Sequence, residues 1–151
     1  MIKKLKNSTL EVAELLHEVF QASYKVEALL LNANDFPPLK RSIENYMGST
    51  TSFFGYHKKE ALVSVIEIEH NAEHTYINSL VVHPNYFRQG IATHLMEFVL
   101  KTYDSNLFFV ETGVENLPAT NLYKSFGFVE VKQWNTDHGI RKVKFEKHIP
   151  D

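Results

Sequence analysis

The segment Ile77 to Leu95, I-N-S-L-V-V-H-P-N-Y-F-R-Q-G-I-A-T-H-L, constrains this chain more than any other. Its apolar start reads as a strand, Pro84-Asn85 as a turn, and the stretch beyond Gly90 as an amphipathic helix. Arg88, Gln89, Gly90, Ile91 and Ala92 then form the mouth of that helix. Backbone N–H groups at a helix start lack intrahelical partners, and the helix dipole adds partial positive charge. Such a mouth binds phosphate or pyrophosphate. Gly90 lets the backbone come close to an anion, because no Cβ stands in the way.

Motifs that would name a particular phosphate ligand are missing. No G-x-x-x-x-G-K-[ST] and no G-x-G-x-x-G occurs, so neither a P-loop nor a dinucleotide fold has support. A single glycine between a strand and a helix is also compatible with packing alone. This segment leaves both readings open.

A second segment separates them. Val110 to Phe128 reads V-E-T-G-V-E-N-L-P-A-T-N-L-Y-K-S-F-G-F. Together the two segments resemble the Gcn5-related N-acetyltransferase (GNAT) superfamily. The first is similar to its acetyl-CoA pyrophosphate loop, [Q/R]-x-x-G-x-[G/A]. The second is similar to its N-x-x-A-x-x-L-Y-x-x-x-G-F signature, met by Asn116, Ala119, Leu122, Tyr123, Gly127 and Phe128. Order and spacing also match. The resemblance covers about Phe53 to Lys147, and the N-terminal third (Q-A-S-Y-K-V-E-A, then P-P-L) resembles small single-domain bacterial members. One position departs: the usual Gln or Arg at the start of the loop is Phe87, which cannot donate a side-chain hydrogen bond to a phosphate.

The resemblance implies an acetyl-CoA-dependent N-acetyltransferase. Arg88 to Thr93 would hold the pyrophosphate, and backbone groups of Leu80, Val81 and Val82 would pair with pantetheine like an added strand. An N–H there would also stabilise the oxyanion of acyl transfer. The strands ending at Val82 and Val114 would be parallel neighbours that splay apart around the pantetheine arm. Tyr123 would lie beside the cofactor sulfur as general acid. A phenol of pKa about 10 is protonated at neutral pH and can donate to a thiolate whose acid has pKa about 8.5. Asn116 would contact the cofactor, and it also suits a helix N-cap.

The general base is less determined. An alkylammonium is mostly protonated at pH 7, so a group must take its proton. Glu111 interrupts an otherwise apolar strand, and some protein N-terminal acetyltransferases of the family place a catalytic Glu at the matching position. Buried among Phe109, Val110 and Val114, its carboxyl would have a raised pKa. A Glu facing solvent at a strand end is the alternative. Other members carry a base on the preceding strand, but the matching residues here are Tyr76 and Asn78, which cannot serve at neutral pH. Glu67 and Glu69 remain candidates, although both also suit the wet face of a strand.

Composition excludes other classes. The formal charge is −2 with both signs dispersed, which gives no footprint for nucleic acid or an anionic membrane. Cysteine is absent, so there is no disulfide framework, no thiolate metal site and no Cys acyl-enzyme. Direct transfer in a ternary complex follows as the expectation, in a cytoplasmic protein. The eight histidines form no H-E-x-x-H pattern, and no metal is expected. The basic start M-I-K-K-L-K-N precedes no apolar core of a signal peptide.

A single domain over residues 1–151 is expected, of α/β (α+β) class: a GNAT fold with a mixed central sheet of six to seven strands and about four helices. Periodicity predicts strands over Lys3 to Leu5, Thr51 to His57, Ala61 to Glu69, Tyr76 to Val82, Leu107 to Val114, Phe128 to Trp134 and Ile140 to Lys147. The second and third form a hairpin about Lys58-Lys59. A capping box at Ser8-Thr9-Leu10-Glu11 opens a first helix with an apolar face of Val12, Leu15, Leu16, Val19 and Phe20. Further helices are predicted over Leu39 to Met47, Gln89 to Tyr103 and Pro118 to Phe126, the last closed by Gly127. The acceptor amine is not specified. By region Tyr24, Glu27, Tyr46, Trp134 and His138 are candidates, and aromatic and acidic groups there would suit a cation. Family habit raises a homodimer without deciding it. The rival class is a non-catalytic acyl-CoA sensor or interaction module on the same fold.

Overall fold

The computed structural model describes residues 1–150. Seven strands form one mixed sheet: β1 (Ile2–Leu5), β2 (Ser52–Lys58), β3 (Ala61–His70), β4 (Thr75–Val82), β5 (Leu107–Gly113), β6 (Val129–Asn135) and β7 (Arg141–His148). Their spatial order is β1-β2-β3-β4-β5-β7-β6. Only β4 and β5 run parallel; the other neighbours are antiparallel. Four helices accompany them: α1 (Leu10–Leu30), α2 (Ile43–Gly48), α3 (Ile91–Thr102) and α4 (Leu117–Ser125). No described helix is long and apolar enough to cross a membrane.

Strand alternation gives the sheet a core on each face. Phe53, Val65 and Val81 pack with Ala13, Leu16 and Phe20 of α1 and Tyr46 of α2. Phe54, Ile66 and Val143 pack with Leu95, Met96 and Val99 of α3 and Tyr123 of α4. One break in the alternation shapes the centre. Glu67 pairs with Ser79, but Ile68 pairs with Ile77, so Asn78 is an extra residue in β4. This bulge turns Ile77 to the face opposite Val81, although both positions are odd.

The β4–β5 pairing is short. Thr75, Tyr76 and Ile77 pair with Phe108, Phe109 and Val110, and the ladder then stops, leaving the two C-terminal ends splayed as the resemblance implied. On the β3 side, the His83 N–H donates to Val63 O at 2.8 Å and the Ser64 hydroxyl to Val81 O at 2.7 Å. Backbone groups alternate in direction along a strand, so those of Val81 face β3, and those of Leu80 and Val82 face the gap.

Several boundaries differ from the periodic pattern. The cap of α1 is Thr9, whose side chain accepts from the Val12 N–H, rather than a box built on Ser8 and Glu11. Leu15 is 43 % exposed, while Ala13 and Tyr24 complete the buried stripe. The helix ends where Asn32 takes φ 51°, with Ala33 N–H bonded to Ala28 O and Asn32 N–H to Leu29 O. This is a Schellman closure with asparagine in the place usually given to glycine. The second helix is broken: Pro37–Lys40 is a 3₁₀ turn, Arg41 is extended, and Ser42 caps a separate α2. In the β2–β3 hairpin, the turn falls on Lys59 and Glu60, both at positive φ, one residue later than the charge pattern suggested.

Candidate active site

The loop after β4 is built from two left-handed residues. A 3₁₀ turn over Pro84–Tyr86, capped by the His83 ring, leads to an extended Phe87. Arg88 then takes φ 62° and Gly90 φ 75°. Left-handed backbone stops a helix from starting early, so α3 begins at Ile91 and not at Gln89. The His94 N–H makes the first helical bond, to Gly90 O, which leaves the amides of Ile91, Ala92 and Thr93 without helical partners. Lys58 of the β2–β3 hairpin donates to the Gln89 side chain and fixes the outer wall of the loop.

This mouth opens into a cavity of about 480 Å³. Arg88 to Thr93 border one end, Leu80 and Val82 one side, and Asn116 and Tyr123 the other end. The Val81 side chain points away into the α1 core. Phe87 also borders the cavity and is 42 % exposed. Ser23, Val26, Glu27 and Leu30 of α1 also line it. They recur at i, i+3, i+4 and i+7, a second helical stripe beside the core stripe. The sequence contains that signal, but a serine and a glutamate mask it as an ordinary wet face.

A second cavity, of about 600 Å³, lies beyond Tyr123. Tyr24, Phe36, Asn78, Glu111 and Lys142 are among its walls. Leu80, Glu27, Asn116, Ala119 and Tyr123 border both cavities and mark their junction. Among the described residues, no group of three or more histidines or carboxylates is placed to hold a metal ion.

At the junction Asn116 has two tasks. Its Oδ1 accepts from the Ala119 N–H at 3.4 Å and caps α4. Its Nδ2 donates to Glu27 Oε1 at 2.7 Å. Burial raises the Glu27 pKa, against the Asn116 hydrogen bond and the charge of Lys142. Tyr123 is 4 % exposed, and burial, helped by the charge of Glu27, pushes its hydroxyl well above the usual phenol range. It therefore stays protonated across physiological pH.

Other expected groups lie elsewhere. Glu111 is half-buried on the wall of the larger cavity, with Lys144 beside it in register, rather than enclosed among Phe109, Val110 and Val114. Tyr76 stacks on Phe109 at 4.5 Å, and burial with the nearby Glu111 charge pushes it up to about 12. Glu67 does not sit on a wet face: it is 2 % exposed and held by Arg41, at 2.8 and 3.0 Å, by Thr51 at 2.7 Å and by Ser79 at 2.9 Å. Glu69 is exposed at the far end of β3. Of the residues named by region, Tyr24, Glu27 and His138 reach the larger cavity. Tyr46 is sealed in the core beneath the Arg41 guanidinium, 4.2 Å from its ring centre, and Trp134 lies on β6 under Lys132.

A splayed parallel pair, an amide-rich loop leading into a helix, and a tyrosine at the meeting of two cavities define a GNAT-type α/β architecture. The sequence pattern of the family described as "Acetyltransferase (GNAT) domain" matches residues 21–149, and the chain belongs to that family. It is 30 % identical over 141 residues to the UPF0157 protein YqkA of Bacillus subtilis (strain 168), covering 93 % of this chain and 41 % of that protein. The chain thus spans less than half the length of that curated relative. In fold it is similar to the ribosomal-protein-S18-alanine N-acetyltransferase from Escherichia coli, with TM-score 0.77, 19 % identity and coverage of 99 % and 93 % of the two chains. It is similar also to the PaiA N-acetyltransferase from Thermoplasma acidophilum in complex with coenzyme A, with TM-score 0.73, 20 % identity and 99 % of each chain.

Proposed function

We infer that the chain transfers an acetyl group from acetyl-CoA directly to a primary amine of a small molecule or peptide, both substrates being bound together. The observation that carries this reading is the junction: one cavity runs from the amide-rich loop to Tyr123, and the other runs from Tyr123 to walls bearing Tyr24, Phe36 and Glu111. A donor and an acceptor entering by separate cavities would meet there.

On this reading the amides of Ile91 to Thr93, with Arg88, hold the pyrophosphate of the donor. The free backbone edge of Leu80 and Val82 pairs with its pantetheine arm, and an N–H of that edge polarises the thioester carbonyl. The amine attacks the carbonyl carbon, the C–S bond breaks, and Tyr123 gives its proton to the leaving thiolate. PaiA, a neighbour in fold crystallised with coenzyme A, supports coenzyme A chemistry for the donor. The homologous family supports the transferase role.

The test is thiol release from acetyl-CoA in the presence of a panel of amines. Tyr123→Phe is expected to lower kcat by about 10²–10⁴-fold, the usual worth of a positioned acid, and to leave the Kd for CoA unchanged by calorimetric titration. Binding of acetyl-CoA without thiol release above background across the panel would reassign the chain as an acyl-CoA sensor.

A further inference from the structure

We propose that Glu27 of α1 is the general base that takes the proton of the acceptor ammonium. This rests on the reading of the chain as an acetyl-CoA-dependent amine acetyltransferase. Among the described residues Glu27 is the only carboxylate that borders both cavities; Glu111 borders the larger one alone. A base must stand within hydrogen-bond reach of the proton it removes while the nitrogen approaches the reacting carbon, which places it at the junction.

The carboxylate is also oriented. Because Asn116 Oδ1 is committed to the cap of α4, its amide group must turn Nδ2 toward Glu27, and it donates to Oε1. Among the described residues no group hydrogen-bonds Oε2, which is left for the ammonium. A carboxylate accepting through one oxygen and free at the other can receive a proton without breaking its anchor.

The charged groups around the larger cavity leave Glu27 its negative role. Arg41 is spent on Glu67. Lys40 and His138 both pair with Asp35, at 2.9 and 3.0 Å. Lys142 of β7, Glu111 of β5, Tyr123 of α4 and Tyr24 of α1 remain facing the space, and Arg88 borders the other cavity. The raised pKa of Glu27 makes it a stronger base than an exposed carboxylate.

The step balances as follows. Glu27 takes one proton from R–NH₃⁺, and the freed lone pair forms the N–C bond at the thioester carbonyl. The C–S bonding pair leaves with sulfur, which takes the Tyr123 proton. The second proton of the former ammonium restores the Tyr123 phenol, and Glu27 releases the first to water through the larger cavity.

The experiment compares wild type, Glu27→Gln and Glu111→Gln with acetyl-CoA and either benzylamine or an alanine-first hexapeptide. It reads kcat/KM from pH 6 to 10, CoA affinity and melting temperature. Glu27→Gln is expected to lose about 10²–10⁴-fold in kcat/KM at pH 7, to keep its CoA affinity, and to gain rate steadily toward pH 10 as the free amine accumulates. Wild type and Glu111→Gln should instead reach a plateau near neutral pH. A Glu27→Gln enzyme with the wild-type profile overturns the assignment, as does one whose loss tracks weakened CoA binding or a lowered melting temperature. Wild type that binds acetyl-CoA yet turns over neither amine overturns the transfer reading itself, and the base assignment falls with it.

Discussion

A carboxylate buried as deeply as that of Glu67 is tolerable only when every lone pair has a partner, and Arg41, Thr51 and Ser79 supply four hydrogen bonds. Removing it leaves the Arg41 guanidinium in an aromatic box of Phe20, Tyr46 and Phe53 with no counter-charge. Glu67→Ala is therefore expected to cost about 3–5 kcal/mol, read as a lower urea midpoint at an unchanged m-value. Glu27 predicts a different signature. Its folded pKa is raised, so the folded state binds that proton more tightly than the unfolded chain does. Its contribution is present at low pH and is lost as pH rises through the folded pKa. Glu27→Gln removes the titration and keeps an acceptor for Asn116, so its melting temperature relative to wild type should climb between pH 4 and pH 8. Equal differences at both ends would show that Glu27 is not strained by burial. Neither residue could be read fully from the sequence. An isolated Glu in a strand looks the same whether it meets solvent or an arginine 26 residues away, and a Glu on a helix shows nothing of the asparagine 89 residues on that orients it. A sequence signature marks Tyr123 and Asn116, and both lie at the junction of the two cavities.

At the scale of elements, the loop between β4 and α3 separates what a motif encodes from what backbone geometry adds. Gly90 announced the helix mouth, but nothing in the sequence announced that Arg88 would share its left-handed conformation, which non-glycine residues adopt only occasionally. Together they set the start of α3 two residues late and aim its first amides at the cavity. Because backbone supplies most of the donors, Phe87→Arg should leave the Kd for CoA unchanged or tighten it by up to about tenfold, in line with one added charge-assisted contact. A large loss in a calorimetric titration would show that the Phe87 ring packs on the ligand. The element pattern itself was legible: all seven strands and four helices appear in the expected order. Misplaced boundaries fell where local chemistry overruled periodicity, at the 3₁₀ turn made by Pro37-Pro38 and at the Thr9 cap. The β4 bulge was invisible, since one extra residue in a strand alters no composition and is fixed only by its pairing with β3.

For the whole molecule, two cores hold the sheet rigid on both faces while its middle is left incomplete. An unpaired strand edge normally occurs at the rim of a sheet, where bulges, charges or prolines guard it against stray pairing. Here the edge lies between β4 and β5, where residues of α1 and α4 face it across the two cavities. An extended ligand laid along it would act as a missing strand and tie the two halves of the sheet together. The same edge therefore gives the protein a built-in reporter of occupancy. Without ligand, the amides of Leu80 and Val82 should exchange with deuterium far faster than that of Val81, which faces β3. Added acetyl-CoA should slow those two and leave Val81 unchanged. The sheet would then be most cohesive while a donor is bound and would loosen at its centre once the product leaves, so supply of the donor would govern the durability of the fold as well as its work.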